Sequence, residues 1–321
     1  MNLPQKMKAS VIRSYGSPQE FSVEKVSVPE IRSKQVLLEV HASSVNPIDC
    51  YVRQGKLKYL SWKGLPKILG ADVAGKVVEI GSAVKSTKVG DRLYGMVNPL
   101  VGGAYAQYIA VNPDNFAEIP ENLDYTEAAA TPTTAITALR GLKDKAKVSS
   151  NKKVMIIGAA GGVGSFAVSL AHAFDAVVTA VSAEDSKELV MNLGADVHVD
   201  YQKKSLTEID EQFDIIFDTA SVYNYFQVWP LLNKRGIFVR TVPNASQLIF
   251  MLLSRVIPLI PVAKICNASP DKKSLNFLNE MFANWEIKPL ITKIYPLKEV
   301  AEAHKSVESG HNRGKTVIQI R

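Results

Sequence analysis

Seven residues, Gly158 to Gly164 (GAAGGVG), carry the clearest chemical signal in the chain. They follow the apolar run KKVMII and lead into SFAVSLAHAF, whose apolar residues recur at helical spacing. Glycines between a strand and a helix let the backbone turn tightly and approach a pyrophosphate, whose charge then sits at the helix N-terminus. On the G-x-G-x-x-G template, Gly161 and Gly164 fill the second and third positions and Ala159 stands at the first. A purely structural turn would also use glycine, but the strand and helix around this one favour a dinucleotide site. We assign Ala160, Gly161, Gly162 and Val163 to it.

The choice between phosphorylated and unphosphorylated dinucleotide turns on the end of the next strand, where a carboxylate would bond the ribose 2′-hydroxyl of NAD. Ser182 falls there and does not repel a 2′-phosphate, while Lys187 lies one helical turn further on, able to pair with it. Tyr201, after the third strand, could cover the phosphate or the adenine. Glu184 and Asp185 argue the other way, and a cap, a solvated lysine and a packed ring are the plain readings of Ser182, Lys187 and Tyr201. Together the three favour NADP.

The elements that must position these residues alternate. From about Thr126, apolar runs Val154 to Ile157, Val177 to Val181, Val197 to Val199, Ile215 to Phe217, Ile237 to Val239 and Val262 to Ile265 are separated by helical stretches, the pattern of a parallel sheet covered on both faces. The first third is β-rich: Lys8 to Arg13, Gln35 to Ala42, Asp72 to Ile80, Arg92 to Val97 and Tyr105 to Val111 lie between Gly, Pro, Asn and Asp punctuation. Asn46 to Arg53 reads as a short helix within it, with Asn46 as cap and Pro47 at the first helical position. Helices over Lys272 to Trp285 and Leu297 to Ser309 precede a lone strand, Thr316 to Ile320, which needs a sheet to join. The β-rich first third could supply it, making that domain discontinuous. The fold class is α/β, with a β-rich domain from residues 1–124 and 270–321 and a doubly wound domain from 125–269.

With 321 residues, 46% hydrophobic and 21% charged, the chain is an ordinary globular protein of two cores. Its net charge of +7 is scattered rather than blocked into a nucleic-acid arm. Cys50 and Cys266 are too few and too distant for a disulfide framework, and Met1 to Arg13 lacks a secretory pattern, so a cytoplasmic location is expected. The apolar stretch Gln247 to Ala263 is shorter than a membrane span and carries Arg255, Pro258 and Pro261. We expect it in a buried helix or a subunit interface, with membrane-surface attachment as the alternative.

Taken in order, the motifs Val45-Asn46-Pro47-Ile48-Asp49, Gly70-Ala71-Asp72-Val73-Ala74-Gly75-Lys76-Val77, Val89-Gly90-Asp91-Arg92, the glycine turn, Leu193-Gly194-Ala195-Asp196 and Gly314-Lys315 resemble the medium-chain dehydrogenase/reductase superfamily over nearly the whole chain. The resemblance is to its zinc-independent quinone oxidoreductase branch, which includes zeta-crystallin. It implies a GroES-like substrate domain from both ends of the chain around a central Rossmann domain, an active site in the cleft between them, and a homodimer. Asn46 stands where zinc enzymes of the superfamily have a cysteine, and Gly70-Ala71-Asp72 lacks their histidine, so no metal is expected.

The resemblance places Asn46 and Tyr51 beside the nicotinamide as candidate catalytic donors, and Thr137 near the same ring. Asn46 as a helix cap, Asp49 as an ion-pair partner and Thr137 as a packing residue stay open. The expected chemistry is hydride transfer from NADPH to a quinone, with enone or 2-alkenal reduction as the alternative, because neither acceptor needs a Lewis acid. Two further readings are a non-catalytic NADPH-binding module associating with membrane or RNA, and a zinc-dependent alcohol dehydrogenase.

Overall fold

The computed structural model describes residues 3–61, 64–206, 208–242, 249–251, 253, 260–284, 286–310 and 312–321 in full, and the backbone of 207. Its elements run β1 (Lys6–Ile12), β2 (Phe21–Ser27), β3 (Val36–Val45), α1 (Pro47–Arg53), β4 (Lys67–Ile68), β5 (Asp72–Ile80), β6 (Arg92–Met96), β7 (Tyr108–Val111), β8 (Phe116–Glu118), α2 (Tyr125–Ala129) and α3 (Pro132–Leu139). Then come β9 (Lys153–Ile157), α4 (Gly162–Ala173), β10 (Val177–Ser182), α5 (Lys187–Asn192), β11 (Val197–Asp200), β12 (Phe213–Asp218), α6 (Tyr225–Val228), β13 (Leu232–Arg240) and β14 (Val262–Ile265). The chain closes with α7 (Lys272–Ala283), β15 (Ile291–Pro296), α8 (Val300–Glu308) and β16 (Lys315–Gln319).

Two compact units result: Met1–Thr133 with Ser269–Ala283 and Pro289–Arg321, and Thr134–Ala268 with Asn284–Lys288. The first boundary falls after residue 133 rather than 124. Asp124 caps α2 through the Glu127 N–H, and Asp72 in β5 accepts from both the N–H and the hydroxyl of Thr133, which ties this stretch to the β-rich unit.

In the β-rich unit, the lone terminal strand joins the sheet of the first third. β16 pairs antiparallel with β3, and β3 with β5, in the order β15-β16-β3-β5-β6-β8, with β7 also on β3. A smaller sheet, β2-β1-β4, adds a hairpin from the N-terminal residues. Val36, Leu38, Val40, Val73, Val77, Leu93 and Phe116 form a core on one side of the larger sheet.

In the second unit, the six strands among the described residues are all parallel, in the order β11-β10-β9-β12-β13-β14. This is the doubly wound order whose direction reverses at the first strand, β9, and ligands bind at the carboxyl ends beside that reversal. Val154, Met155, Ile156 and Ile157 are all buried, as expected of a central strand covered on both faces. Most of the apolar stretch Gln247 to Ala263 lies outside the described residues. Of those described, Phe250 is buried, stacked on Tyr225 with ring centroids 4.1 Å apart. No helix among the described residues is long and apolar enough to cross a membrane.

Candidate active site

The glycine turn connects β9 to α4 at the reversal point. Gly158 takes φ +75°, where an L side chain is strained, and its N–H and that of Ala159 both donate to the Val181 carbonyl at 3.1 Å. The left-handed residue is therefore one position before Ala159, which explains why alanine is accepted there. Gly164 serves the other requirement: a Cβ would overlap the Gly158 carbonyl oxygen, so only glycine lets α4 start this close to the turn. Gly161 is the N-cap of α4 and offers no side-chain cap, so the first-turn N–H groups beginning at Gly162 and Val163 point out of the helix end. With Ala160 at the turn, these residues fit a pyrophosphate cradle.

The bonds from Gly158 and Ala159 to Val181 set the turn directly beside Ser182, the last residue of β10. Ser182 Oγ lies 3.1 Å from His198 Nε2 on β11, and the Ser182 carbonyl accepts from the Tyr201 N–H at 3.4 Å. Tyr201 and Lys187, the first residue of α5, are exposed. Ala160 to Val163, Ser182, Lys187 and Tyr201 thus all stand at the carboxyl ends of β9, β10 and β11. Thr137 is buried in α3, where its carbonyl accepts the Cys266 thiol at 3.2 Å.

Sequence spacing did not reveal three residues around Ser182 and Glu184. His198 touches it, Asp200 sits opposite it in the β10 and β11 register, and Lys203 reaches Glu184 at 2.8 Å. Glu184 titrates below the usual carboxylate range because the Lys203 ammonium bonds it, and Lys203 is raised by the same contact. The periodic placement of Glu184 after one strand and Lys203 after the next, parallel strand was the available signal.

Asn46 and Tyr51 belong to the β-rich unit. Asn46 is the N-cap of α1 in extended conformation, with Pro47 at the first helical position. Its side chain turns instead to a buried network. Asn46 Oδ1 accepts from Lys315 Nζ at 2.6 Å, Asn46 Nδ2 donates to Asp72 Oδ2 at 2.8 Å, and Lys315 Nζ stands 3.6 Å from Asp72 Oδ2. Ser44 Oγ donates to the same carboxylate at 2.6 Å, and Thr133 fills its other oxygen. Sheet order explains the assembly: Thr316 pairs with Val45 and Asp72 with Ser44, so one residue from each of β16 and β5 meets the end of β3. Burial lowers Lys315 from its ordinary value, and Asp72 opposes that shift.

Asp49 lies next to this network without an ion pair of its own among the described residues. Its Oδ2 accepts the Asn46 N–H at 2.9 Å and its Oδ1 has no hydrogen-bond partner among them. Burial pushes its carboxyl up to about 7. Deeper in the unit, His304 Nδ1 lies 3.4 Å from Cys50 Sγ and Nε2 lies 3.2 Å from the Tyr105 hydroxyl. Burial drives His304 down to about 3 and Cys50 up to about 12, so both are neutral. Tyr51, by contrast, is exposed on α1, with the Lys56 ammonium 5.1 Å from its ring centroid.

The donor set does not fit zinc. Position 46 offers an amide already bonded by an internal cation, Ala71 offers no ligand, and Asp72 is engaged by Lys315, Ser44, Asn46 and Thr133.

Residues 32–121 match the family described as alcohol dehydrogenase GroES-like domain, and residues 193–318 match that described as zinc-binding dehydrogenase. The chain is 33% identical over 328 residues to the NADPH-dependent alkenal/one oxidoreductase, chloroplastic, of Arabidopsis thaliana, covering 99% of this chain and 80% of that one. It is 34% identical over 329 residues to the 2-methylene-furan-3-one reductase of Solanum lycopersicum, with the same shares covered. Among solved structures, the quinone oxidoreductase from Coxiella burnetii superimposes with a TM-score of 0.89 at 29% identity, over 98% of this chain and 100% of that one. The chain belongs to the medium-chain dehydrogenase/reductase superfamily, in its quinone oxidoreductase-like family.

Proposed function

We propose that the protein is an NADPH-dependent, zinc-independent reductase of conjugated carbonyl acceptors, quinones or enones. The observation that carries this reading is Ser182, set beside the glycine turn at the reversal of the parallel sheet, with Lys187 opening the helix that follows its strand. Relatives named for alkenal/one and quinone chemistry support the acceptor class.

NADPH, when bound, supplies a hydride. The chain's own residues do the rest. The N–H groups at the start of α4 receive the pyrophosphate charge without the bulk of side chains at Gly161 and Gly162. Ser182 offers a hydroxyl and Lys187 an ammonium to the 2′-phosphate. In the β-rich unit, Lys315 and Asp72 hold both ends of the Asn46 amide, and Asn46 in turn ties the first residue of α1 to the sheet. Asn46 accordingly orders α1, and Tyr51, exposed on that helix, is the hydroxyl able to approach an acceptor oxygen. An enolate or phenolate needs only such donors or water, so reduction proceeds without the metal that alcohol oxidation requires.

We extend the proposal to a cytoplasmic homodimer. It is supported by two free, buried thiols, Cys50 and Cys266, and by the outer position of β14 in the parallel sheet.

The test is anaerobic NADPH oxidation with 9,10-phenanthrenequinone, 1,4-benzoquinone and a series of 2-alkenals. Turnover with at least one acceptor class is expected, unaffected by chelator. Tight NADPH binding with no turnover of any acceptor would instead favour the non-catalytic binding module.

A further inference from the structure

Ser182 ends β10 where a dinucleotide enzyme selective for NAD would carry an acid, yet acids are not missing from the surroundings. Asp200, the last residue of β11, lies opposite Ser182 in the strand register, and Glu184 follows two residues after it. Two carboxylates therefore flank the serine. Left unanswered, they would repel a 2′-phosphate, and Glu184 could accept a hydrogen bond from an unphosphorylated ribose.

One side chain answers both. Lys203 Nζ stands 2.8 Å from Glu184 Oε2 and 3.8 Å from Asp200 Oδ2. It comes from the turn after β11, and the Lys203 N–H donates back to the Asp200 carbonyl at 3.2 Å, which keeps the lysine on this corner of the sheet. The Glu184 carboxylate also feels Lys187 and His198, so the cations and anions here share one small surface. Both members of the Lys203 and Glu184 pair are exposed, which leaves the contact open to competition by salt.

We propose that Lys203 is a specificity-determining residue for the phosphorylated dinucleotide, acting by neutralising Glu184 and Asp200 beside Ser182 so that Lys187 can receive the 2′-phosphate. The inference rests on the reading that NADPH occupies the glycine turn, and it adds a residue that works through a neighbouring carboxylate.

The experiment measures Kd for NADPH and NADH by fluorescence quenching, on the full chain, for the wild type, Lys203→Met, Glu184→Gln and the double variant, at low and high salt. Lys203→Met should lower the preference for NADPH over NADH about fivefold at low salt, and less at high salt. Glu184→Gln alone should change the preference less than about twofold, because that carboxylate is already neutralised. The double variant should regain most of the preference. A Lys203→Met variant that keeps the wild-type preference overturns the inference, as does a double variant as impaired as the single one. Thermal unfolding of each variant excludes a folding defect. A wild type that binds neither dinucleotide removes the cofactor reading itself, an outcome distinct from a wild type that prefers NADPH regardless of residue 203.

Discussion

Asp72 and Lys315 face each other 3.6 Å apart with almost no exposure, while Glu184 and Lys203 face each other at 2.8 Å in solvent. The shorter contact is the weaker one. In water the attraction between unit charges is screened and the side chains give up entropy to meet, so an exposed pair contributes about 0–1 kcal/mol. In the interior, neither charge can be left alone without a large desolvation cost, so each holds the other in place. The β-rich unit thus uses charge to fix the start of α1, whereas the parallel-sheet unit keeps charge exposed at a surface suited to an incoming anion.

The largest effect should follow from breaking the buried pair. Lys315→Met leaves the Asp72 carboxylate without its cation and should lose about 3–5 kcal/mol of unfolding free energy, read from urea transitions. Pairing it with Asp72→Asn removes both charges and should recover most of that loss. A single variant that costs less than about 1 kcal/mol would mean that the buried pair does not organise this region.

A second prediction concerns Asp49, the buried carboxyl beside the pair. Its folded value is pushed up from 3.8 to about 7, so between those values the folded protein holds a proton that the unfolded chain releases. The associated stability is complete below about pH 4 and is lost as pH rises to about 7. Asp49→Asn removes the titration. Relative to the wild type, the variant should gain stability as pH rises through that window, by on the order of 2–4 kcal/mol, and then level off. The readout is this slope in urea unfolding from acid to alkaline pH. Parallel pH profiles for the two proteins would show that Asp49 ionises freely in the folded state.

These two regions also differed in how far residue order alone reached. The glycine turn and the six parallel strands were legible because strand, turn and helix are contiguous and their apolar periods differ. The template puts Ala159 at its first position, and spacing cannot show that Gly158, one residue earlier, takes the left-handed conformation. The buried network was out of reach for a different reason. Lys315, Asn46 and Asp72 are brought together only when β16 adds to β3, with Thr316 opposite Val45. The expectation that the lone last strand would join the first third's sheet contained that information, but not its register. Register decides which side chain arrives at the end of β3. The Lys203 contact is hidden from residue order for the same reason, because only the pairing of β10 with β11 brings it to Glu184.

The smallest predicted effect tests the surface side of the contrast. Lys187 is exposed at the start of α5, and burial gives it no structural duty there. Lys187→Met should leave unfolding free energy within about 0.5 kcal/mol of the wild type. NADPH should bind about five- to tenfold more weakly at low salt, with NADH nearly unaffected, because only the phosphorylated ribose presents the anion that this ammonium meets. Raising the salt should erase most of the difference, since a solvent-facing contact is screened over a Debye length of about 10 Å at 0.1 M. A loss that persisted at high salt would place Lys187 in a desolvated contact with the nucleotide. The cofactor surface would then resemble the buried network in its energetics, and the distinction between the two regions would fail at its most exposed residue.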